Sequence, residues 1–160
     1  MKKSIPAPPL SFREARKDDL TLIIQTLADD PLGSKRENLQ TPLPVAYLKA
    51  FDSIVDDPNN ELVVATLNAE IVGFLQLTFI PYLTYQGGWR ALIEGVRVNK
   101  KHRNQGIGKK IFTWAIDRAK EKGCHLIQLT TDKKRLDARR FYESLGFEAT
   151  HEGMKLHLGV

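Results

Sequence analysis

The chain has 160 residues, of which 42% are hydrophobic and 27% charged, and its formal net charge is +5. This length and balance predict one soluble globular domain over residues 11–160, preceded by a short N-terminal arm of residues 1–10. No apolar run approaches the roughly 20 residues of a membrane span, the N-terminus lacks the apolar stretch of a signal peptide, and a single cysteine, Cys124, excludes an internal disulfide. A reducing cytoplasm is the expected location, with Cys124 as a structural thiol rather than a nucleophile.

The first half of the chain predicts a strand, two helices and a β-hairpin. The helices follow from apolar residues at helical spacing, and Asp18 or Asp19 can cap the first of them. A turn at residues 68–70 separates the two hairpin strands, and a loop rich in Tyr and Gly follows at residues 81–88. In chain order the predicted elements are a strand at 11–16, helices at about 20–27 and 44–55, and strands at 62–66 and 71–80.

The second half predicts alternating strands and helices. A strand-like run at residues 91–98 leads through a basic turn into an amphipathic helix at about 106–122, with Gly123 after its end. Residues 125–131 predict the fifth strand, residues 135–145 a further helix, and the last residues one or two short strands.

The turn at residues 103–110, Arg-Asn-Gln-Gly-Ile-Gly-Lys-Lys, has the features of an anion cradle. Two glycines let the backbone approach a ligand closely, and a helix start adds unpaired N–H groups and a partial positive charge. The spacing excludes a P-loop, which needs four residues between its glycines and a Ser or Thr after the Lys. The dinucleotide-binding fingerprint is excluded too, because its third glycine is missing. A phosphate or pyrophosphate is the expected ligand.

Arg-x-x-Gly-x-Gly after a Val-x-Val strand resembles the pyrophosphate loop of the Gcn5-related N-acetyltransferases (GNAT). Residues 141–147, Phe-Tyr-Glu-Ser-Leu-Gly-Phe, resemble that family's late helix and the strand entry after it, and residues 93–98 resemble its fourth strand. The resemblance spans about residues 12–158. It implies an α/β (α+β) fold with a mixed, mostly antiparallel sheet of six to seven strands and about four helices on both faces. It also implies an acetyl-CoA-dependent N-acetyltransferase.

The resemblance assigns the cofactor site to the fourth strand and the glycine turn. Backbone groups of the strand would pair with the pantetheine arm, and Gly95 would form a bulge that opens a slot beside the fifth strand. Many family members carry Asn where this chain has Arg135, so Arg135 or Arg139 would reach a phosphate instead. The cofactor-binding residues are therefore predicted to be Val96, Arg97, Val98, Arg103, Asn104, Gln105, Gly106, Ile107, Gly108, Lys109, Arg135 and Arg139.

Two residues are candidates for catalysis. In the resembling family a tyrosine at the position of Tyr142 often protonates the departing thiolate, and a phenol can donate that proton; the alternative is an aromatic core residue. Glu94 is a candidate general base, acting directly or through water. The alternatives are a structural ion pair with Arg97 or Arg90, or a reaction in which water alone takes the proton.

The acceptor is the least defined part of the prediction. The leading interpretation is direct transfer, in a ternary complex, to a primary amine of a small molecule, with Asp29, Tyr85 and Trp89 as candidate substrate contacts because acidic and aromatic groups suit a cationic amine. A peptide or protein amine and a non-catalytic acyl-CoA-binding module are the alternatives. Basic residues flank the glycine turn, yet no nucleic-acid-binding motif accompanies them, so nucleic acid is disfavoured as a partner. No metal site and no membrane partner are expected, and a homodimer stays open.

Overall fold

Five strands form a single sheet in the order β1-β2-β3-β4-β5 within the computed structural model, which describes residues 9–159. Neighbouring strands are antiparallel except β4 and β5, which are parallel. The predicted N-terminal arm lies almost wholly outside the described residues. The strands are β1 (Ser11–Glu14), β2 (Asn60–Leu67), β3 (Glu70–Pro81), β4 (Trp89–Val98) and β5 (Leu126–Gln128).

Residues 9–159 contain five helical segments, and four of them, α3 being the exception, carry apolar residues that pack against the sheet. Three short 3-10 turns accompany them, at Lys17–Asp19, Gly33–Lys35 and Lys100–His102. Among residues 9–159, no helix is both long and apolar enough to cross a membrane. The helices are α1 (Leu20–Ala28), α2 (Val45–Asp56), α3 (Thr84–Gly87), α4 (Ile107–Glu121) and α5 (Leu136–Ser144).

The alternation of side chains along the strands separates two apolar cores, one on each face of the sheet. Val63 and Leu75 pack with the buried stripe of α4, whereas Val64 and Phe74 face α1 and α2 on the other side. Cys124 is half-buried beside the α4 core. Burial raises the pKa of its thiol, which disfavours the reactive thiolate and agrees with a structural role.

The prediction of six to seven strands and about four helices is corrected to five strands and five helices for residues 9–159. The extra helix, α3, is a single turn in the predicted loop, with Tyr85 and Gln86 in the left-handed region. The predicted C-terminal strands are absent from the described chain, because residues 148–159 lie exposed and pair with no strand there. β5 is also shorter than the predicted range of 125–131.

The predicted cap of α1 is corrected as well. Asp19 precedes the helix but its side chain makes no capping hydrogen bond to α1. Its carboxylate instead accepts from the Arg16 backbone N–H at 2.7 Å and from the Arg13 guanidinium at 2.7 Å. The carboxylate therefore ties β1 to the 3-10 turn before α1.

A partly buried ion pair joins α4 to β2. Both carboxylate oxygens of Glu61 accept from the Arg118 guanidinium, the shortest contact being 2.6 Å, and the Glu61 side chain is only 11% exposed. Burial alone would raise the pKa of the Glu61 carboxyl, but the hydrogen bonds and charge of Arg118, with Lys122 nearby, outweigh it, so the pKa lies below its ordinary value of 4.5. The ionised carboxylate thus stabilises the folded state.

A Glu61→Gln substitution is expected to lower the free energy of unfolding by about 2 kcal/mol at neutral pH. A carboxyl whose pKa is lowered by folding stabilises the protein above its unfolded pKa, and that contribution is lost as the pH falls through the folded pKa. The difference between wild type and Glu61→Gln should therefore shrink as the pH falls below 4.5. Urea unfolding of both proteins at neutral and acidic pH measures this difference in the free energy of unfolding.

The matched control is Glu121→Gln. The Glu121 carboxylate also contacts Arg118, at 2.9 Å, but its side chain is 65% exposed, so its loss should change stability by less than about 0.5 kcal/mol. An equal loss for Glu61→Gln at both pH values would contradict the assigned role of the Glu61 charge.

Candidate functional site

A cleft opens where β4 and β5 separate. The two strands pair only from Arg90 to Leu92 of β4, and beyond that point β4 has no β5 partner. Leu75 of β3 faces two β4 residues, Gly95 and Val96, and Gly95 has a φ of +61°. This is the predicted bulge, which is confirmed, and it bends β4 away from β5. The cleft has a volume of about 140 Å³, and the side chains that bear on its chemistry are those of Glu94, Val96, Arg97, Thr130, Arg135 and Tyr142.

The glycine turn lies at the end of β4 and leads directly into α4. Asn104 and Gly106 both adopt left-handed backbone conformations, with φ of +61° and +74°, which reverse the chain before α4 begins at Ile107. The turn is exposed from Arg103 to Gly106. The N–H groups of the first helical turn have no partner within the helix, so the turn can bind an anion through its backbone.

The packing around Gly108 would tolerate a small side chain. A Cβ atom built on Gly108 would lie 3.7 Å from Phe141 Cζ and 3.9 Å from Val98 Cγ2, which are ordinary contacts. The glycine is therefore not required by the packing of the protein itself.

Two arginine side chains donate hydrogen bonds to backbone carbonyls of β4 beside the cleft. The Val96 carbonyl accepts from Arg97 Nη1 at 2.9 Å, and the Val98 carbonyl accepts from Arg103 Nε at 3.2 Å. These strand residues are the ones that the sequence assigned to the pantetheine arm.

Glu94 is exposed in the cleft and makes none of the ion pairs found among residues 9–159. The two suggested structural partners are engaged otherwise. Arg97 pairs with Asp30 at 3.1 Å, and the Arg90 guanidinium lies 4.8 Å from the ring centroid of Tyr82. The Glu94 carboxylate therefore has no ion-pair partner in the part of the chain that the structure describes.

Tyr142 is held at the cleft by aromatic packing. Its ring centroid lies 5.5 Å from that of Phe112 and 6.3 Å from that of Phe147. Its hydroxyl makes no hydrogen bond within the described part of the chain, although the residue lines the cleft. Tyr142 is thus both a packed aromatic residue and a hydroxyl donor available to a ligand, so the two interpretations of this residue are compatible.

An ion pair between Asp30 and the cleft residue Arg97 was not predicted from the sequence. Asp30 accepts from the Gly33 and Leu32 backbone N–H groups at 2.7 and 2.9 Å and pairs with Arg97. Burial alone would raise the pKa of Asp30, but these N–H groups and the positive charges of Arg97 and Arg135 bring it below its ordinary value. The α1–α2 connection thereby fixes Arg97, a cleft residue.

The structure places several predicted site residues outside the cleft. Asp29 lies at the glycine turn, 3.7 Å from Arg103, and Arg139 pairs along α5 with Glu143 at 2.8 Å. Trp89 begins β4, five residues or about 17 Å of strand from Glu94. Tyr85 packs against His125 with a 4.8 Å centroid distance, near the same end of β4. Tyr85 and Trp89 are therefore not brought together with the cleft residues.

The remaining predicted contacts lie on the turn and at the start of α4. Gln105 donates from its side chain to the Lys101 carbonyl at 3.1 Å, Ile107 is buried in the α4 core, and Lys109 is exposed. No group of three or more His, Cys, Asp or Glu side chains suited to a metal occurs between residues 9 and 159.

Comparison with known proteins gives matches over most of the chain. The acetyltransferase (GNAT) family matches residues 24–147. The aminoalkylphosphonate N-acetyltransferase of Salmonella typhimurium is 32% identical over 106 residues, which are 66% of this chain and 68% of that protein. The glucosamine 6-phosphate N-acetyltransferase of Trypanosoma brucei brucei is 35% identical over 88 residues, 55% of this chain and 58% of that protein.

Solved structures share the fold over nearly the whole chain. A transcriptional regulator from Bacillus halodurans C-125 superposes with a TM-score of 0.90 at 61% identity, covering 94% of this chain and all of that one. An acetyltransferase from Trypanosoma brucei superposes with a TM-score of 0.74 at 27% identity, over 94% of this chain and all of that one. With the family match over residues 24–147 and the cleft beside the glycine turn, the chain belongs to the GNAT family of N-acetyltransferases.

Proposed function

We propose that the protein acetylates the primary amine of a small molecule that also carries a phosphate or phosphonate group, using acetyl-CoA. The observation that carries this proposal is the cleft itself. It combines a free carboxylate, a free phenol and two guanidinium groups, from Glu94, Tyr142, Arg97 and Arg135. The cleft lies beside a glycine turn suited to a pyrophosphate.

The chain's own residues fit the cofactor in two places. The backbone at Val96 and Val98 would hold the pantetheine arm, and the turn from Arg103 to Lys109 would hold the pyrophosphate. The cofactor supplies the acetyl group as a thioester. Arg97 and Arg103, which donate to the two β4 carbonyls, would remain beside the bound cofactor as positive charges.

Acetyl transfer requires a neutral amine and a protonated leaving thiol. In the proposed mechanism Glu94, directly or through one water, accepts a proton as the amine nitrogen bonds to the acetyl carbon. The carbon–sulfur bond then breaks, and Tyr142 donates its hydroxyl proton to the sulfur. The phenolate would regain a proton from solvent through the open cleft, and Glu94 would release its proton to solvent. The reaction needs no covalent enzyme intermediate.

The charges of the cleft support an acceptor with an anionic group. Arg97 and Arg135 supply two guanidinium groups, which suit the oxygens of a phosphate or phosphonate, while Glu94 suits the amine. The two curated relatives are named for an aminoalkylphosphonate and for glucosamine 6-phosphate, and both compounds combine an amine with a phosphorus-containing anion. A peptide or protein amine is the second candidate, which the same assay tests.

We expect the kcat/KM for 2-aminoethylphosphonate or glucosamine 6-phosphate to exceed that for ethanolamine or glucosamine by roughly tenfold or more, because a charge-assisted contact is worth about 1.5–3 kcal/mol. An Arg135→Gln variant should lose most of this preference. Release of the free CoA thiol measures each rate. A peptide amine that is acetylated faster than all four compounds would favour the second candidate.

The control is Arg139→Gln, since Arg139 lies on the outer surface of α5, paired with Glu143. It should leave the preference unchanged. If Arg135→Gln raises the KM for acetyl-CoA and spares the preference, Arg135 binds the cofactor instead. Equal rates for the anionic and neutral amines would contradict the proposed acceptor class.

A further inference from the structure

Glu94 and Arg97 lie on the same face of the sheet, at a separation that an arginine side chain can span. In the β3–β4 register, Gln76 is the partner of Glu94 and Phe74 is the partner of Arg97. Directly paired residues share a face of the sheet, and Phe74 packs in the core formed with α1 and α2. Because Gln76 and Phe74 are two residues apart, the two β4 side chains leave the sheet about 7 Å from each other.

An ion pair between these two residues would occupy the proton acceptor of the proposed mechanism. An arginine donates to the lone pairs of a carboxylate, often through two N–H groups at once, and the same lone pairs would accept a proton. Arg97 is paired instead with Asp30, with 3.1 Å between Nη2 and Oδ2. The carboxylate that Arg97 binds therefore decides whether Glu94 is available as a base.

Asp30 is the carboxylate that the fold already holds in place. Its Oδ1 accepts from the backbone N–H groups of Leu32 and Gly33 at 2.9 and 2.7 Å. Gly33 is buried and so tightly packed that a Cβ atom there would overlap a backbone oxygen of α1. Asp30 thus loses little freedom when it binds Arg97, whereas the exposed Glu94 side chain would lose the freedom of several rotatable bonds.

We propose that Asp30 is a positioning residue: it binds Arg97 and thereby keeps this guanidinium away from the general base, Glu94. The inference rests on the proposed function, in which Glu94 accepts the proton of the amine. Asp30 acts only through Arg97, whose Nη1 also donates to the Val96 carbonyl at 2.9 Å. The guanidinium is thus held at two points, and neither of them is Glu94.

An Asp30→Asn variant tests the proposal. Asparagine keeps an oxygen for the two N–H groups of the turn, but its amide group replaces the oxygen that faces Arg97, and two donors cannot bond to each other. Arg97 should then pair with Glu94. The kcat with a neutral primary amine such as glucosamine should fall at least roughly tenfold, because general base catalysis contributes about 10²–10⁴ in rate. A neutral amine keeps the proposed contact of Arg97 with an anion out of this measurement.

Removal of Arg97 from that variant should restore turnover. The kcat of Asp30→Asn/Arg97→Gln is expected to equal that of Arg97→Gln alone, because no guanidinium then remains to occupy Glu94. Damage to the α1–α2 connection would not be reversed in this way, so an equally low kcat in the double variant overturns the proposal. Asp57→Asn is the matched control, since Asp57 also accepts a turn N–H group, from Asn59 at 2.9 Å, and makes no ion pair within residues 9–159. It should leave kcat unchanged.

Two further measurements separate the failure of this inference from the failure of the proposed function. If Glu94→Gln is slow and Asp30→Asn is as fast as wild type, only the positioning role is overturned. If Glu94→Gln is as fast as wild type, the proposed role of Glu94 fails and the positioning role fails with it. A crystal structure of Asp30→Asn needs no turnover: the proposal expects the Arg97 guanidinium at about 2.8 Å from the Glu94 carboxylate, and an Arg97 that stays away from Glu94 overturns it.

Discussion

A Gly108→Glu variant is expected to fold normally and to bind acetyl-CoA at least roughly 100-fold more weakly, a loss of about 2.7 kcal/mol. Gly108 lies in the first turn of α4, immediately after the exposed glycine turn. A glutamate there would place bulk and a negative charge where the pyrophosphate is proposed to meet the helix N–H groups. Calorimetric titration with acetyl-CoA measures the change.

The structure explains why the fold should survive this change. A Cβ atom at Gly108 meets only side-chain atoms, at 3.7 Å or more, and the backbone there does not require glycine. Gly108→Ala should therefore bind within a few-fold of wild type. Thr113→Glu, on the exposed side of α4 beyond its first turn, adds the same charge as the main variant and should leave affinity unchanged. Normal affinity for acetyl-CoA in a folded Gly108→Glu variant would contradict the assignment of the glycine turn as a pyrophosphate site.

The elements that sequence patterns predicted are those held by local interactions. α4 was expected at about 106–122 and lies at Ile107–Glu121, because its apolar stripe repeats every turn and Gly106 and Gly123 bound it in left-handed conformations. The β2–β3 hairpin follows equally from two mostly apolar runs separated by a turn at Asn68 and Ala69. In each case the pattern and its end signals lie within one short segment.

The prediction of C-terminal strands was wrong because strand formation depends on a partner that is distant in sequence. Alternation shows that a segment can be half-buried in a sheet, but a strand exists only where another backbone pairs with it. The tail has the pattern, with Met154, Leu156 and Leu158 on one side, but nothing in residues 9–159 pairs with it. The left-handed turn at Tyr85 and Gln86 was missed because non-glycine residues rarely adopt that conformation, so their types gave no signal.

The predictions for the site show the same difference between local motifs and contacts that are distant in sequence. The turn, Glu94 and Tyr142 were predictable because each belongs to a short motif, and the structure brings the last two to one cleft. The Asp30–Arg97 pair joins residues far apart in sequence, so no local pattern could indicate it. Tyr85 and Trp89 were selected by residue type alone, and the length of β4 separates them from the cleft.

A Tyr142→Phe variant is expected to lower kcat roughly 100-fold while leaving the dissociation constant of acetyl-CoA unchanged, as general acid catalysis contributes about 10²–10⁴ in rate. The ring packs on Phe112, Phe141 and Phe147, and phenylalanine keeps that packing. Only the hydroxyl is lost, and it has no hydrogen bond to another residue between 9 and 159. Steady-state rates with calorimetric affinities separate the chemical step from binding.

Tyr82→Phe is the matched control, because the Tyr82 hydroxyl bonds to His125 near the far end of β4 and should leave kcat unchanged. A tyrosine that only packed in the core would be replaced without loss, since the ring is retained, so equal turnover would remove Tyr142 from the mechanism. A chain that binds acetyl-CoA but shows no turnover with any amine, in wild type as in both variants, would instead be an acyl-CoA-binding module. The hydroxyl of Tyr142 thus distinguishes an enzyme that protonates its leaving group from a fold that only holds the cofactor.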